Sequence, residues 1–171
     1  LAVFYPNVDL LSMEEDIEIS TARLISIVRT MAAVAYKKSI GEPVVYPRCD
    51  LKYCGNFLNM MFDSPVRPYA VKPEIERILN ILFILHADHE QNCSTSAVRG
   101  VGSSHVDPFS AVSAGIVALY GPLHGGANEE VIEMLEEIGS IENVEPYLES
   151  CLQRKAKIMG FGHRVYKVKD P

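Results

Sequence analysis

The sequence has no basic excess. It carries 16 Lys+Arg against 22 Asp+Glu, a formal net charge of −6, and its pI is about 5.4. It therefore offers no field to neutralise a nucleic-acid backbone and no Lys/Arg run suited to anionic lipid. Cysteine is scarce, with four residues at irregular spacing: Cys49, Cys54, Cys93 and Cys151. The Cys49/Cys54 pair has no second pair to complete a zinc site, and a disulfide scaffold is excluded. Free thiols point to a reducing, cytoplasmic setting. Also missing are an initiating Met, a signal-peptide pattern in Leu1–Pro6, and a closing element after Lys169-Asp170-Pro171. Both ends read as cuts, and the chain as a piece of a longer polypeptide. The longest uncharged stretch, 108–128, could span a bilayer on count alone, but Gly121-Pro122, His124 and Gly125-Gly126 interrupt it. It reads as a tightly packed core helix, and no membrane span is expected. What remains is a composition of 48% hydrophobic and 22% charged residues, that of a soluble globular protein whose partner is a small molecule or another chain.

Helical periodicity dominates, and no strand alternation stands out, so the expected fold is all-α. Ser12 with Glu15 fits a capping box. From Thr21 the positions Leu24, Ile25, Ile27, Val28, Met31, Ala32, Val34 and Ala35 recur at helical spacing, closed by Lys37, Lys38 and Gly41. Pro43 to Pro47 is extended, because both prolines disfavour helix. A short helix covers Asn56 to Phe62. Pro73 suits the first turn of a helix running from about Glu74 to Asp88, with Ile75, Ile78, Leu79, Leu82, Phe83 and His86 on one side. Asp107-Pro108 starts a helix of small residues that ends at Gly121-Pro122. Another begins at Asn128 and stops at Gly139. The last opens at Pro146 and runs through Ile158 towards Gly160.

Five histidines occur, and three segments around them are unusual. In His86-Ala87-Asp88-His89-Glu90, two imidazoles three apart share one helix face. Helix-end histidines favoured by the macrodipole would look the same, and a zinc pair would want a different order. Gly121-Pro122-Leu123-His124-Gly125-Gly126-Ala127-Asn128 breaks two helices and permits close approach of a ligand or backbone. His124 just before a helix N-terminus would favour neutral imidazole, which can donate to a developing enolate as in triosephosphate isomerase. A loop histidine between core helices is the ordinary alternative. Gly160-Phe161-Gly162-His163-Arg164-Val165-Tyr166-Lys167 lacks the third glycine and preceding strand of a dinucleotide fingerprint. Its glycines and cations suit an anionic substrate, although a Schellman stop before a basic loop would look similar. His105 reads as a surface loop residue.

Together these segments resemble the citrate synthase family. Leu85–Asn92, Gly121–Glu129 and Gly160–Lys167 occur in that family's order and spacing, flanked by Ser39-Ile40-Gly41, Tyr46-Pro47-Arg48 and Gly55–Phe62 in the style of its bacterial branch. The resemblance implies a multi-helical fold, with residues 1–140 mainly in a large helical domain and 141–171 starting a small one. It implies condensation of acetyl-CoA with oxaloacetate to give citrate and CoA, without any separate cofactor, in a cytoplasmic homo-oligomer. By resemblance, His124 and His163 are catalytic and His89 and His163 hold oxaloacetate. His86, Asn92 and Ser94 orient them, with Ser94 the partner of His124. Met159, Gly160, Phe161 and Lys167 meet CoA. The family's oxaloacetate-gripping Arg and its base Asp follow Pro171 in that pattern, so the chain by itself is expected to be inactive. Two other readings remain: a 2-methylcitrate synthase using propionyl-CoA, and a non-catalytic helical module that binds a metal or a partner.

Overall fold

The computed structural model describes residues 14–88, 90–162 and 168, with side chains from residue 17 onward. Among these, seven α-helices and one 3-10 turn account for the regular structure: α1 (Glu14–Ser39), α2 (Tyr53–Phe62), α3 (Pro73–Leu85), α4 (Cys93–Gly102), α5 (Pro108–Leu119), α6 (Ala127–Ile138), the 3-10 turn at Ile141–Asn143 and α7 (Val144–Arg154). No helix among the described residues is long and apolar enough to cross a membrane.

Local chemistry sets several of these boundaries. Gly41 (φ +72°) and Gly139 (φ +69°) take the left-handed conformation just past α1 and α6, where a Cβ would be strained. Pro73 and Pro108 open α3 and α5, positions where the missing N–H costs nothing. Asp107 caps α5: its carboxylate accepts the Ser110 amide at 3.0 Å and the Ser110 hydroxyl at 2.6 Å. The Ser110 hydroxyl chiefly holds the Asp107 carboxyl below its ordinary range, with amides at the helix start adding to it.

α1 and α2 run side by side in the same direction, as three successive contacts show. The Tyr53 hydroxyl donates to the Ile25 carbonyl (2.9 Å), the Arg29 guanidinium lies 4.6 Å over the Tyr53 ring, and Lys37 Nζ donates to the Asp63 carbonyl (2.7 Å). Lys37 is 1% exposed and also meets Glu42 Oε2 at 2.6 Å, while Arg67 reaches the other Glu42 oxygen at 2.8 Å. Sequence position made Lys37 one of the cations that close the helix. Its actual partners lie beyond the helix and neutralise it in place. α3 crosses α2 through the Gly55 amide, which donates to Glu76 Oε1 (3.1 Å), and through Phe83 against Tyr53 and Phe57.

Several sequence expectations are corrected. Residues 93–102, where no element was expected, form α4, and its packing against α5 is the most extensive between any two of the described elements. α2 begins at Tyr53 rather than Asn56. α3 ends at Leu85 rather than Asp88, and none of its residues is buried. α7 starts at Val144 and ends at Arg154, where Lys155 turns left-handed (φ 54°), so Lys157 and Ile158 lie outside it.

Candidate active site

The site is built on the N-terminus of α4. A helix start leaves its first amides without internal partners, and here two of them are committed. The Asn92 side chain caps the helix by accepting the Thr95 amide at 2.9 Å. The Ser94 amide instead points across to the turn between α5 and α6, donating to His124 Nε2 at 3.2 Å. The Ser94 hydroxyl lies 2.7 Å from the same nitrogen and 2.9 Å from the Gly115 carbonyl of α5.

This geometry selects a tautomer. An amide hydrogen cannot rotate away, so Nε2 must present its lone pair and the ring proton resides on Nδ1. The alternative, Nε2–H donating to Ser94 Oγ, would set two N–H groups against each other and orphan the amide. With the proton on Nδ1, the hydroxyl's one hydrogen has two acceptors in reach, Nε2 and the Gly115 carbonyl, while the amide serves Nε2 in either case. The Gly115 carbonyl, in a helix interior, retains its intrahelical partner. His124 is thereby oriented by neutral groups, and Nδ1–H becomes its donor.

The turn holding His124 depends on its glycines. The His124 amide donates to the Gly121 carbonyl at 2.9 Å. Gly125 has φ +90°, and a Cβ there would fall 2.2 Å from the Leu119 carbonyl, so only glycine fits. His124 itself is half-buried.

The remaining sequence-predicted residues fall as follows. His86 does not lie within a helix. It is the C-cap of α3, exposed, with Nδ1 2.7 Å from the Leu82 carbonyl, which also accepts the His86 amide at 3.1 Å. That pair of hydrogen bonds to one carbonyl accompanies the end of the helix three residues earlier than periodicity suggested. Beyond it, Asp88 Oδ1 accepts the Glu90 amide (3.1 Å), and Glu90 is left-handed (φ 56°). Met159 and Gly160 form a turn after α7, and a Cβ on Gly160 (φ +82°) would stand 3.0 Å from Val131 of α6. Phe161 is 75% exposed. His89, His163 and Lys167 lie outside the described residues. The structure thus brings together Ser94 and His124, with Asn92 capping the helix that carries Ser94. Among the described residues no group of three His, Cys, Asp or Glu is placed to hold a metal ion.

The Citrate synthase, C-terminal domain family model matches residues 1–171. The chain belongs to the citrate synthase family. Among solved structures it is similar to citrate synthase from Thermotoga maritima MSB8, with 42% identity over 94% of this chain and 43% of that one and a TM-score of 0.72. Citrate synthase from Pyrobaculum aerophilum matches at 40% identity over 91% of this chain and 38% of that one, TM-score 0.76. The Thermoplasma acidophilum enzyme, solved as a ternary complex with carboxymethyl coenzyme A and oxaloacetate, matches at 34% identity over 93% and 41%, TM-score 0.75. The chain spans about two-fifths of the length of these citrate synthases. Sequence reasoning found His124 and Ser94 through the family's motifs. It missed Gly115, and with it the helix that carries Ser94. The available signal was Asn92, a strong N-cap type, followed by Ser94 and Val98 at helical spacing.

Proposed function

We propose that the polypeptide carrying this chain condenses acetyl-CoA with oxaloacetate and water, releasing citrate and CoA. The observation that carries the reading is the contact of His124 Nε2 with the Ser94 amide at 3.2 Å and hydroxyl at 2.7 Å, which leaves Nδ1–H as the free donor. Removing a proton from a thioester methyl is hard because the carbanion is unstable, so a donor aimed at the thioester oxygen lowers the barrier as charge moves there. His124 Nδ1–H fills that role. The methyl proton passes to a carboxylate base, which the family resemblance places outside this chain. The enol carbon then bonds to the oxaloacetate carbonyl carbon, and His163 gives that oxygen its proton. Water cleaves the resulting thioester to citrate and CoA.

His89 joins His163 on oxaloacetate, and Met159–Phe161 with Lys167 meets CoA; motif order supports these assignments. The acyl group we assign is acetyl rather than propionyl, on the wording Ala87-Asp88-His89-Glu90-Gln91-Asn92. Assembly into a homo-oligomer belongs to the same reading and is supported by the apolar side chains left uncovered on α5 and at its C-cap, Val117 at 74% and Tyr120 at 94% exposure.

The test is CoA release by the full-length protein given oxaloacetate with acetyl-CoA or propionyl-CoA. Acetyl-CoA is expected to turn over faster, and His124→Ala to lower kcat by roughly 10²–10³, the cost of losing one such donor. Faster propionyl-CoA turnover would reassign the acyl group. Absence of CoA release with either thioester would refute the condensation.

A further inference from the structure

The reaction makes no demand on the middle of α5, yet a glycine stands there. Glycine inside a helix costs roughly 0.5–1 kcal/mol relative to alanine, and Gly115 is buried within an otherwise ordinary helical run. Backbone freedom is not the reason, since Gly115 is absent from the residues with positive φ. Space is the reason. A Cβ at this position would lie 2.6 Å from Val98 Cγ2, with the Ser94 carbonyl at 3.5 Å and Ser94 Cβ at 3.8 Å. Ser94 and Val98 are four residues apart on α4 and share one face. That face rests on Gly115, whose carbonyl lies 2.9 Å from the Ser94 hydroxyl.

We infer that Gly115 is a positioning residue for His124: its missing side chain lets α4 seat closely enough on α5 for the Ser94 amide and hydroxyl to reach Nε2. The inference rests on the reading of His124 as the thioester-oxygen donor. Val98 is β-branched and stiff at χ1 in a helix, so it cannot swing clear of a new methyl group. Carbon atoms prefer separations of roughly 3.5–4.0 Å, so the methyl pushes α4 outward by about 1 Å. Ser94 travels with the helix and leaves His124 free to turn or change tautomer.

The experiment compares Gly115→Ala, Val98→Ala, the double variant and His124→Ala in the full-length protein, following CoA release, KM for oxaloacetate and thermal unfolding. Gly115→Ala is expected to lower kcat by about 10²-fold, the scale of a 1 Å misplacement, while KM for oxaloacetate changes little. Val98→Ala alone should stay near wild type. The double variant should recover most of the lost kcat, because the new methyl then meets only ordinary contacts. If Gly115→Ala does not fold, a folded double variant with restored kcat supports the inference equally. A folded Gly115→Ala with wild-type kcat overturns it, and so does a double variant that stays slow or unfolded. His124→Ala with undiminished kcat would instead bring down the donor reading itself, a result distinct from either.

Discussion

Lys37 and Ser94 each tie a helix to a distant stretch of chain, the first with charge and the second without. Lys37 is buried, and Glu42 and the Asp63 carbonyl meet its ammonium directly, so the end of α1 is fixed to the turn after α2. Ser94 holds His124 through an amide and a hydroxyl, and close packing at a glycine brings them within reach. Removing Lys37 would take the donor from the Asp63 carbonyl and leave Glu42 to Arg67 alone. Neutral donors define a tautomer without adding a charge that would compete with the one developing on substrate. The scaffold can therefore use charge where the site uses dipoles.

The largest expected effect that separates the two is on stability. Lys37→Ala should cost about 2 kcal/mol, the scale of leaving the Asp63 carbonyl without its donor, since Arg67 still serves Glu42. The shift in urea midpoint of the full-length protein measures this, and kcat per folded molecule should not change. A matching fall in kcat would mean that the two regions are coupled.

Asn92→Ala is the complementary change, with a smaller loss of about 1 kcal/mol for a lost N-cap. Here kcat should fall as well, since fraying of α4 displaces the Ser94 amide. An unaltered kcat would show that the helix start does not govern His124.

The smallest effect appears only in acid. The Lys37 ammonium, hydrogen-bonded to Glu42, holds that carboxyl below its ordinary value of 4.5, with Arg67 adding to the effect. A depressed carboxyl contributes stability above its unfolded value and loses it as pH falls through the folded one. Between neutrality and about pH 5, Glu42→Gln should therefore run parallel to wild type; below the ordinary glutamate value it should lose stability less steeply. Urea midpoints across that range decide it, and parallel lines down to acid pH would remove the Glu42 contribution.

Elements bounded by short-range chemistry were legible in the sequence. Asp107-Pro108 starts α5 and Gly139 stops α6 where capping and glycine rules place them. α4 was not legible, because Cys-Ser-Thr-Ser-Ala-Val-Arg-Gly-Val-Gly is a poor helix former, and its helix comes from packing on α5. The motif around His124 was legible as chemistry, and the Ser94 partnership came through family resemblance. What no local pattern could show was the reason for Gly115, since its neighbour Val98 lies 17 residues earlier in the chain. Lys37 escaped for the same reason, its environment being assembled from Glu42 and Asp63.

The most direct measurement is the 15N spectrum of the His124 imidazole in the full-length protein, assigned by comparison with His124→Ala. Protonated Nδ1 and unprotonated Nε2 are expected, with the Nε2 signal moving when Ser94 is replaced by Ala. A proton on Nε2, or a ring indifferent to Ser94, would contradict the account.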